Sequence, residues 1–149
     1  MEYTYKILAD TDVPLLKNLL TVFGEAFGEP DTYQSAVPSE QYLQALLGEP
    51  HVVALVALDG ETVIGGLVAY ELQKFEQERK EIYIYDLAVS AAHRRKGVAT
   101  NLIRELQRAA RERGAYVIFV QADQGDIPAI RLYQSLGKRE DVHHFDIPV

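Results

Sequence analysis

The chain has 149 residues, 48% of them hydrophobic and 25% charged, with no cysteine and a formal net charge of −7. That length suits one domain with a single substantial core, and the lack of cysteine excludes disulfides, thiolate metal sites and a cysteine nucleophile. No apolar run approaches the ~18 residues of a spanning helix, and Met1-Glu2-Tyr3-Thr4-Tyr5-Lys6 lacks the basic, apolar, small-residue order of a secretory signal, so a cytoplasmic protein is expected.

Tyr3 to Leu8 alternates well enough for an opening strand. Asp12 can cap a helix whose apolar residues Val13, Leu16, Leu19, Leu20, Phe23 and Phe27 recur at helical spacing, and Gly28-Glu29-Pro30 ends it. Ser39 caps a shorter helix through Leu47, stopped by Gly48 and Pro50. His51 to Leu58 and Thr62 to Leu72 read as two strands joined at Asp59-Gly60, a strong hairpin signal. The charged stretch Gln73 to Lys80 reads as a solvated connection before a further strand, Glu81 to Ser90. Val98, Leu102, Ile103, Leu106 and Ala110 form one apolar stripe of a helix ending at Gly114. Tyr116 to Gln121 reads as a buried strand. Pro128 suits the first turn of a helix running to Leu136 and closed by Gly137, and Lys138 to Ile147 supplies the last strand or two. The expectation is an α/β single domain, residues 1–149, with a mixed, mostly antiparallel sheet of six to seven strands flanked by about four helices.

The segment Tyr83 to Thr100 carries the clearest chemistry. An apolar strand runs into a loop with three consecutive cations, Arg94, Arg95 and Lys96, then Gly97-Val98-Ala99-Thr100 and an amphipathic helix. A helix start offers unpaired N–H groups and a positive dipole end, both of which favour an anion. Gly97 lets the backbone approach phosphates closely, and the cations add charge-assisted donors or an attractive field. A solvated basic loop tip would look the same in spacing alone. The segment is neither a Walker loop nor a Rossmann turn. Charge distribution adds to this. Residues 94 to 113 hold seven basic and two acidic side chains, a net of +5, which leaves −12 on the rest. One anionic ligand and one cationic partner fit that asymmetry better than a nucleic-acid surface does, although acidity also serves solubility.

Arg94-x-x-Gly97-x-Ala99 resembles the Gln/Arg-x-x-Gly-x-Gly/Ala signature of the GNAT superfamily of acetyl-CoA-dependent N-acetyltransferases. Asp126-Ile-Pro-Ala129-Ile-Arg-Leu132-Tyr133-x-x-x-Gly137 resembles that family's Asn-x-x-Ala-x-x-Leu-Tyr-x-x-x-Gly element. The resemblance implies that the backbone of Arg94 to Thr100 holds the pyrophosphate of coenzyme A, and that Leu87, Ala88 and Val89 pair with its pantetheine arm. It also implies that Val89 offers an N–H to the thioester carbonyl, and that Asp126 and Ala129 lie on the coenzyme side. Aspartate replaces the family's asparagine at 126, where it can instead cap the following helix.

Acyl transfer from a thioester to an amine requires a deprotonated amine, donors for the developing oxyanion, and a proton or hydrogen bond for the leaving thiolate. Tyr133 is the candidate thiolate partner, since a phenol with pKa near 10 can donate at neutral pH. Asp86 is the candidate for ammonium binding and proton abstraction, because a carboxylate in an otherwise apolar strand is costly unless paired or functional. Glu81 is the alternative base. Tyr33, Glu81, Tyr83, Asp123 and Asp146 are the candidate substrate contacts. His143, His144, Asp123 and Asp146 lack ligand spacing, so no metal is expected.

A closer similarity sharpens the substrate. Lys74-Phe-Glu-Gln, Glu81 through Ser90, His93-Arg94-Arg95, Gly114 through Asp126 and His144-Phe-Asp-Ile147 resemble the type I aminoglycoside 3-N-acetyltransferases, the gentamicin-resistance enzymes. The resemblance implies acetylation of the 3-amino group of the 2-deoxystreptamine ring and a homodimer. An N-acetyltransferase for polyamines or another small cationic amine is the rival reading. A non-catalytic CoA-binding module is a third.

Overall fold

Strand pairing follows chain order in the computed structural model, which describes residues 2–149. β1 (Thr4–Ile7), β2 (Val52–Asp59), β3 (Thr62–Gln73), β4 (Lys80–Val89) and β5 (Ala115–Val120) form one sheet in the order 1-2-3-4-5. The first three junctions are antiparallel and the last is parallel. A two-residue turn with Gly60 at φ +62° reverses the chain between β2 and β3, as the Asp59-Gly60 pair predicts.

Helices cover both faces. α1 (Val13–Ala26), α2 (Pro30–Gln34) and α3 (Glu40–Gly48) lie on one, while α4 (Val98–Arg113) and α5 (Ile127–Leu136) lie on the other. Leu16, Leu19, Phe23, Leu43 and Leu47 pack with Ala54, Val56 and Ala88 on the first face. Leu102, Ile103 and Leu106 pack with Val53, Leu67, Ile82 and Ile84 on the second. The sheet accepts α1 closely because Gly66 has no side chain. A Cβ there would lie 2.6 Å from Leu19 Cδ1 and 2.5 Å from the Leu55 carbonyl oxygen. α3 begins as predicted, with Ser39 Oγ accepting the Tyr42 N–H at 3.1 Å.

Five expectations change. The sheet has five strands among the described residues and five α-helices, so the predicted six to seven strands and four helices are not matched. Lys138 to Ile147 forms no strand. It is an exposed tail in which Val142, Phe145 and Ile147 face solvent, since apolar residues become a strand only where a sheet edge receives them. β5 is an edge strand rather than a buried one, and Tyr116, Val117 and Phe119 are exposed. Asp12 occupies the N-cap position of α1, but its carboxylate accepts from the Ala9 N–H and from Lys6 Nζ, each at 2.8 Å, instead of capping the helix. The Gln73–Lys80 connection is more ordered than a solvated loop. Lys74 pairs with Glu81 at 2.7 Å, and the Arg79 guanidinium lies 4.1 Å over the Tyr116 ring.

Candidate active site

β4 has two unlike halves. From Lys80 to Ile84 it is paired on both sides, to β3 and to β5. β5 ends at Val120, opposite Ile84, so from Tyr85 to Val89 the β5 side of β4 lies open. At the parting point Tyr83 stacks on Phe119 with centroids 4.7 Å apart, and its hydroxyl donates to Gln121 Oε1 at 3.2 Å. Beyond it, the Ser90 N–H donates to Ile64 O at 2.8 Å on the β3 side. Successive peptide groups of a strand point in opposite directions, so the Val89 N–H faces the open slot. The Val89 carbonyl follows the same direction, and Arg94 Nε donates to it at 3.1 Å.

A β-bulge determines where Asp86 points. Val68 pairs with Asp86 but Ala69 pairs with Ile84, which leaves Tyr85 without an opposite residue. Before the bulge, Ile82 and Ile84 face the α4 core. Strict alternation would send residue 86 there too. The extra residue reverses the phase, so Ala88 packs on the α1 face and Asp86 faces the same way.

There the half-buried Asp86 accepts a hydrogen bond from the Tyr33 hydroxyl at 3.0 Å. Burial raises its carboxyl pKa above the ordinary value, the Tyr33 hydrogen bond opposes that rise, and Glu29 adds to it. Tyr133, on α5, packs against the α4-side core. Its phenol pKa is pushed up to about 12, chiefly by burial and then by the charges of Asp126 and Asp86. The Asp86 charge is thus felt at Tyr133, whose phenol stays protonated at neutral pH.

The basic loop narrows under the same inspection. A 3-10 turn at Ala91–His93 leads into it, and Arg95 at φ 60° and Gly97 at φ +80° are both left-handed. Gly97 is the N-cap of α4 and supplies no side-chain cap; the first helical bond runs from the Asn101 N–H to Gly97 O. The N–H groups of Val98, Ala99 and Thr100 therefore precede that bond at a positive helix end. Arg94, Arg95 and Lys96 surround them on the surface. Two other cations of the positive segment are engaged elsewhere, Arg108 with Glu105, and Arg113 with Pro50 O at 2.6 Å and Glu71.

The remaining predicted residues fall into two groups. Glu81 and Tyr83 share the Asp86 face, but Glu81 is bound to Lys74, and five residues of strand put it roughly 16 Å from Asp86. Asp126 caps α5 by accepting the Ala129 N–H at 3.3 Å, so these two residues bond each other. Asp123 is exposed and its carbonyl accepts the Asp126 N–H at 3.0 Å. Asp146 sits on the tail and pairs with His144 at 3.0 Å, and nothing among the described residues links it to Asp86. No cluster of potential metal ligands occurs among the described residues, and no helix among them is long and apolar enough to cross a membrane.

Sequence reasoning missed two features. α2, a single five-residue helix, was not anticipated although it carries Tyr33; a Pro-led acidic turn after Gly28 was its only local signal. Nor was the aromatic row Tyr70, Tyr85, Tyr83, Phe119, with neighbouring centroids 6.0, 5.8 and 4.7 Å apart. Two of its members, Tyr70 and Tyr85, line a groove of about 260 Å³ that runs between α1, α3 and the sheet to Asp86.

Residues 16–138 match the family described as Acetyltransferase (GNAT) family. Among solved structures, an aminoglycoside acetyltransferase from an uncultured soil metagenomic sample is 53% identical with TM-score 0.99, covering 100% of this chain and 99% of that one. A second aminoglycoside acetyltransferase from such a sample, solved in complex with sisomicin, is 31% identical with TM-score 0.92, covering 99% and 96%. N-acetyltransferase 8B of Rattus norvegicus is 31% identical over 90 residues, 60% of this chain and 40% of its own length. The chain spans about two fifths of the length of the curated relatives it matches.

Proposed function

The chain belongs to the GNAT acetyltransferase family, and from that premise we propose that it transfers the acetyl group of acetyl-CoA to an amine of an aminoglycoside, at the 3-amino group of the 2-deoxystreptamine ring. The observation that carries acetyl transfer is the open half of β4, where an unpaired Val89 N–H and a half-buried Asp86 carboxylate border one slot. The aminoglycoside reading draws on the likeness to the two soil acetyltransferases and on the tyrosine-bordered groove beside Asp86. Aromatic rings can stack on sugar rings and attract ammonium groups by about 0.5–2 kcal/mol each. The 3-amino position draws on the sequence resemblance alone.

In this reading the open backbone of Leu87 to Val89 receives the extended arm of the co-substrate. The start of α4, with Arg94, Arg95, Lys96 and Gly97, receives its pyrophosphate. Asp86 binds the acceptor ammonium and takes one proton from it, directly or through a water molecule, which restores the nitrogen lone pair. The nitrogen forms a bond to the carbonyl carbon while the Val89 N–H stabilises the oxygen that becomes negative. The nitrogen gives up its second proton to solvent, the carbonyl re-forms, and the carbon–sulfur bond breaks toward Tyr133, which leaves a neutral amide and a thiolate. A thiol has pKa ~8.5, whereas the Tyr133 phenol is pushed up to about 12. Full proton transfer from Tyr133 would be uphill by three to four pKa units, ~5 kcal/mol, so Tyr133 stabilises the thiolate by donating a hydrogen bond.

Asp86 is favoured over Glu81 as base because Glu81 lies on the doubly paired half and is tied to Lys74. A homodimer is part of the proposal. The apolar residues Phe145 and Ile147 of the tail and the open edge of β5 are surfaces that a second copy would cover.

The experiment is thiol release from acetyl-CoA with gentamicin, kanamycin and spermidine in parallel, with the acetylated position read by NMR. Acceleration by the two drugs and a 3-N-acetyl product are expected. Acceleration by spermidine alone would make the acceptor a polyamine. Turnover indifferent to every amine would leave a CoA-binding module.

A further inference from the structure

We infer that Tyr33 is a positioning residue for Asp86, and that Gly24 of α1 exists to bring it there. The inference rests on the reading of Asp86 as the base and adds the device that aims it. α2 begins at Pro30, directly after Gly28-Glu29, and the Glu29 N–H donates to Gly24 O at 3.0 Å, folding the connection back on the end of α1. At Gly24 a Cβ would stand 3.3 Å from Tyr33 Cβ and 3.4 Å from Pro30 Cα, so the glycine is what allows α2 to lie this close. Phe23 and Phe27 complete a seat for the Tyr33 ring, with centroids 6.0 and 5.8 Å from it. The ring is thereby fixed with its hydroxyl 3.0 Å from Asp86 Oδ2.

The consequences are geometric and electrostatic. One carboxylate oxygen is occupied, which leaves Oδ1 for the acceptor ammonium and restricts rotation of the carboxylate. The same hydrogen bond stabilises the ionised form against burial and against Glu29. The groups around Asp86 are Glu29 from the α1–α2 connection, Tyr33 from α2, Tyr42 from α3 along the groove, Tyr70 from β3, Tyr83 and Tyr85 from β4, and Tyr133 from α5. Of these only Glu29 is a second carboxylate, and it repels. Tyr33 supplies the hydrogen bond that opposes this repulsion.

Tyr33→Phe removes the hydroxyl and keeps the ring packing, so the protein should fold, as thermal melting will report. The acidic limb of kcat/KM against pH should move upward by about 0.5–1 unit, and kcat at its plateau should fall roughly fivefold. Gly24→Ala, which alters neither partner, should move the limb in the same direction by less. A carbon-13 titration of the Asp86 carboxyl should show the same upward shift in Tyr33→Phe without any reaction taking place. An unmoved carboxyl titration with an unmoved limb would overturn the inference. If the titration shifts while Asp86→Asn retains its activity, Tyr33 does tune Asp86 but Asp86 is not the base, and the positioning role falls together with that assignment.

Discussion

The two halves of β4 share a strand, a sheet and a sequence of similar hydropathy, yet they do different work. In Lys80–Ile84 both edges are occupied, by β3 and β5. In Tyr85–Val89 one edge is vacant, so the Val89 N–H and the backbone of Leu87 are available to a ligand. A carboxylate on the first half, Glu81, is neutralised by a neighbouring lysine. A carboxylate on the second, Asp86, has its pKa raised by burial and further by a repelling glutamate, against the hydrogen bond from a phenol. The difference follows from which strand stops first, since a missing neighbour is what frees backbone donors in an otherwise saturated sheet.

Three substitutions test that contrast. Asp86→Asn on the open half should lower kcat/KM by about 10³-fold with little change in Tm. Because burial raises the Asp86 pKa, activity in the unaltered protein should fall as pH drops through that raised value, and the amide variant should lose this limb. Retention of the limb would break the distinction between the halves.

Tyr133→Phe, across the slot, should cost about 10²-fold in kcat while leaving the affinity for coenzyme A within about threefold, as isothermal titration would measure. With its phenol pushed up to about 12, Tyr133 stays protonated through the neutral and mildly basic range. A basic limb below about pH 11 should therefore not depend on it.

Glu81→Gln on the closed half is the control. It removes a partly exposed ion pair worth about 0–1 kcal/mol, and kcat should stay within about twofold. A loss as large as that of Asp86→Asn would move the base to the other half of the strand.

Much of this site was legible from residue order. The order of Gly97 and an amphipathic stripe predicted a helix start there, and α4 begins at Val98 with Gly97 as its N-cap. Ser39, Gly60, Gly114 and Pro128 each marked an element end that formed where predicted, because capping and turn chemistry are local. The tail from Lys138 misled for the converse reason. The apolar residues Val142, Phe145 and Ile147 suggest a strand, but a strand also needs an edge to receive it, and the chain alone does not say whether that edge is free or in reach. α2 was too short for any periodicity to register, although it carries the hydroxyl that meets Asp86.

By itself, the sequence determined the elements and their ends, the anion-favouring start of α4, and the oddity of a carboxylate in an apolar strand. These depend on backbone preference and on side chains within a few residues of one another. The tertiary structure alone decided that the strand bulges at Tyr85, so that Asp86 leaves the α4 core and faces Tyr33, and that β5 ends five residues before β4 does. Both follow from how neighbouring strands register against each other. Register is a property of pairs of strands, which no single strand's residues contain.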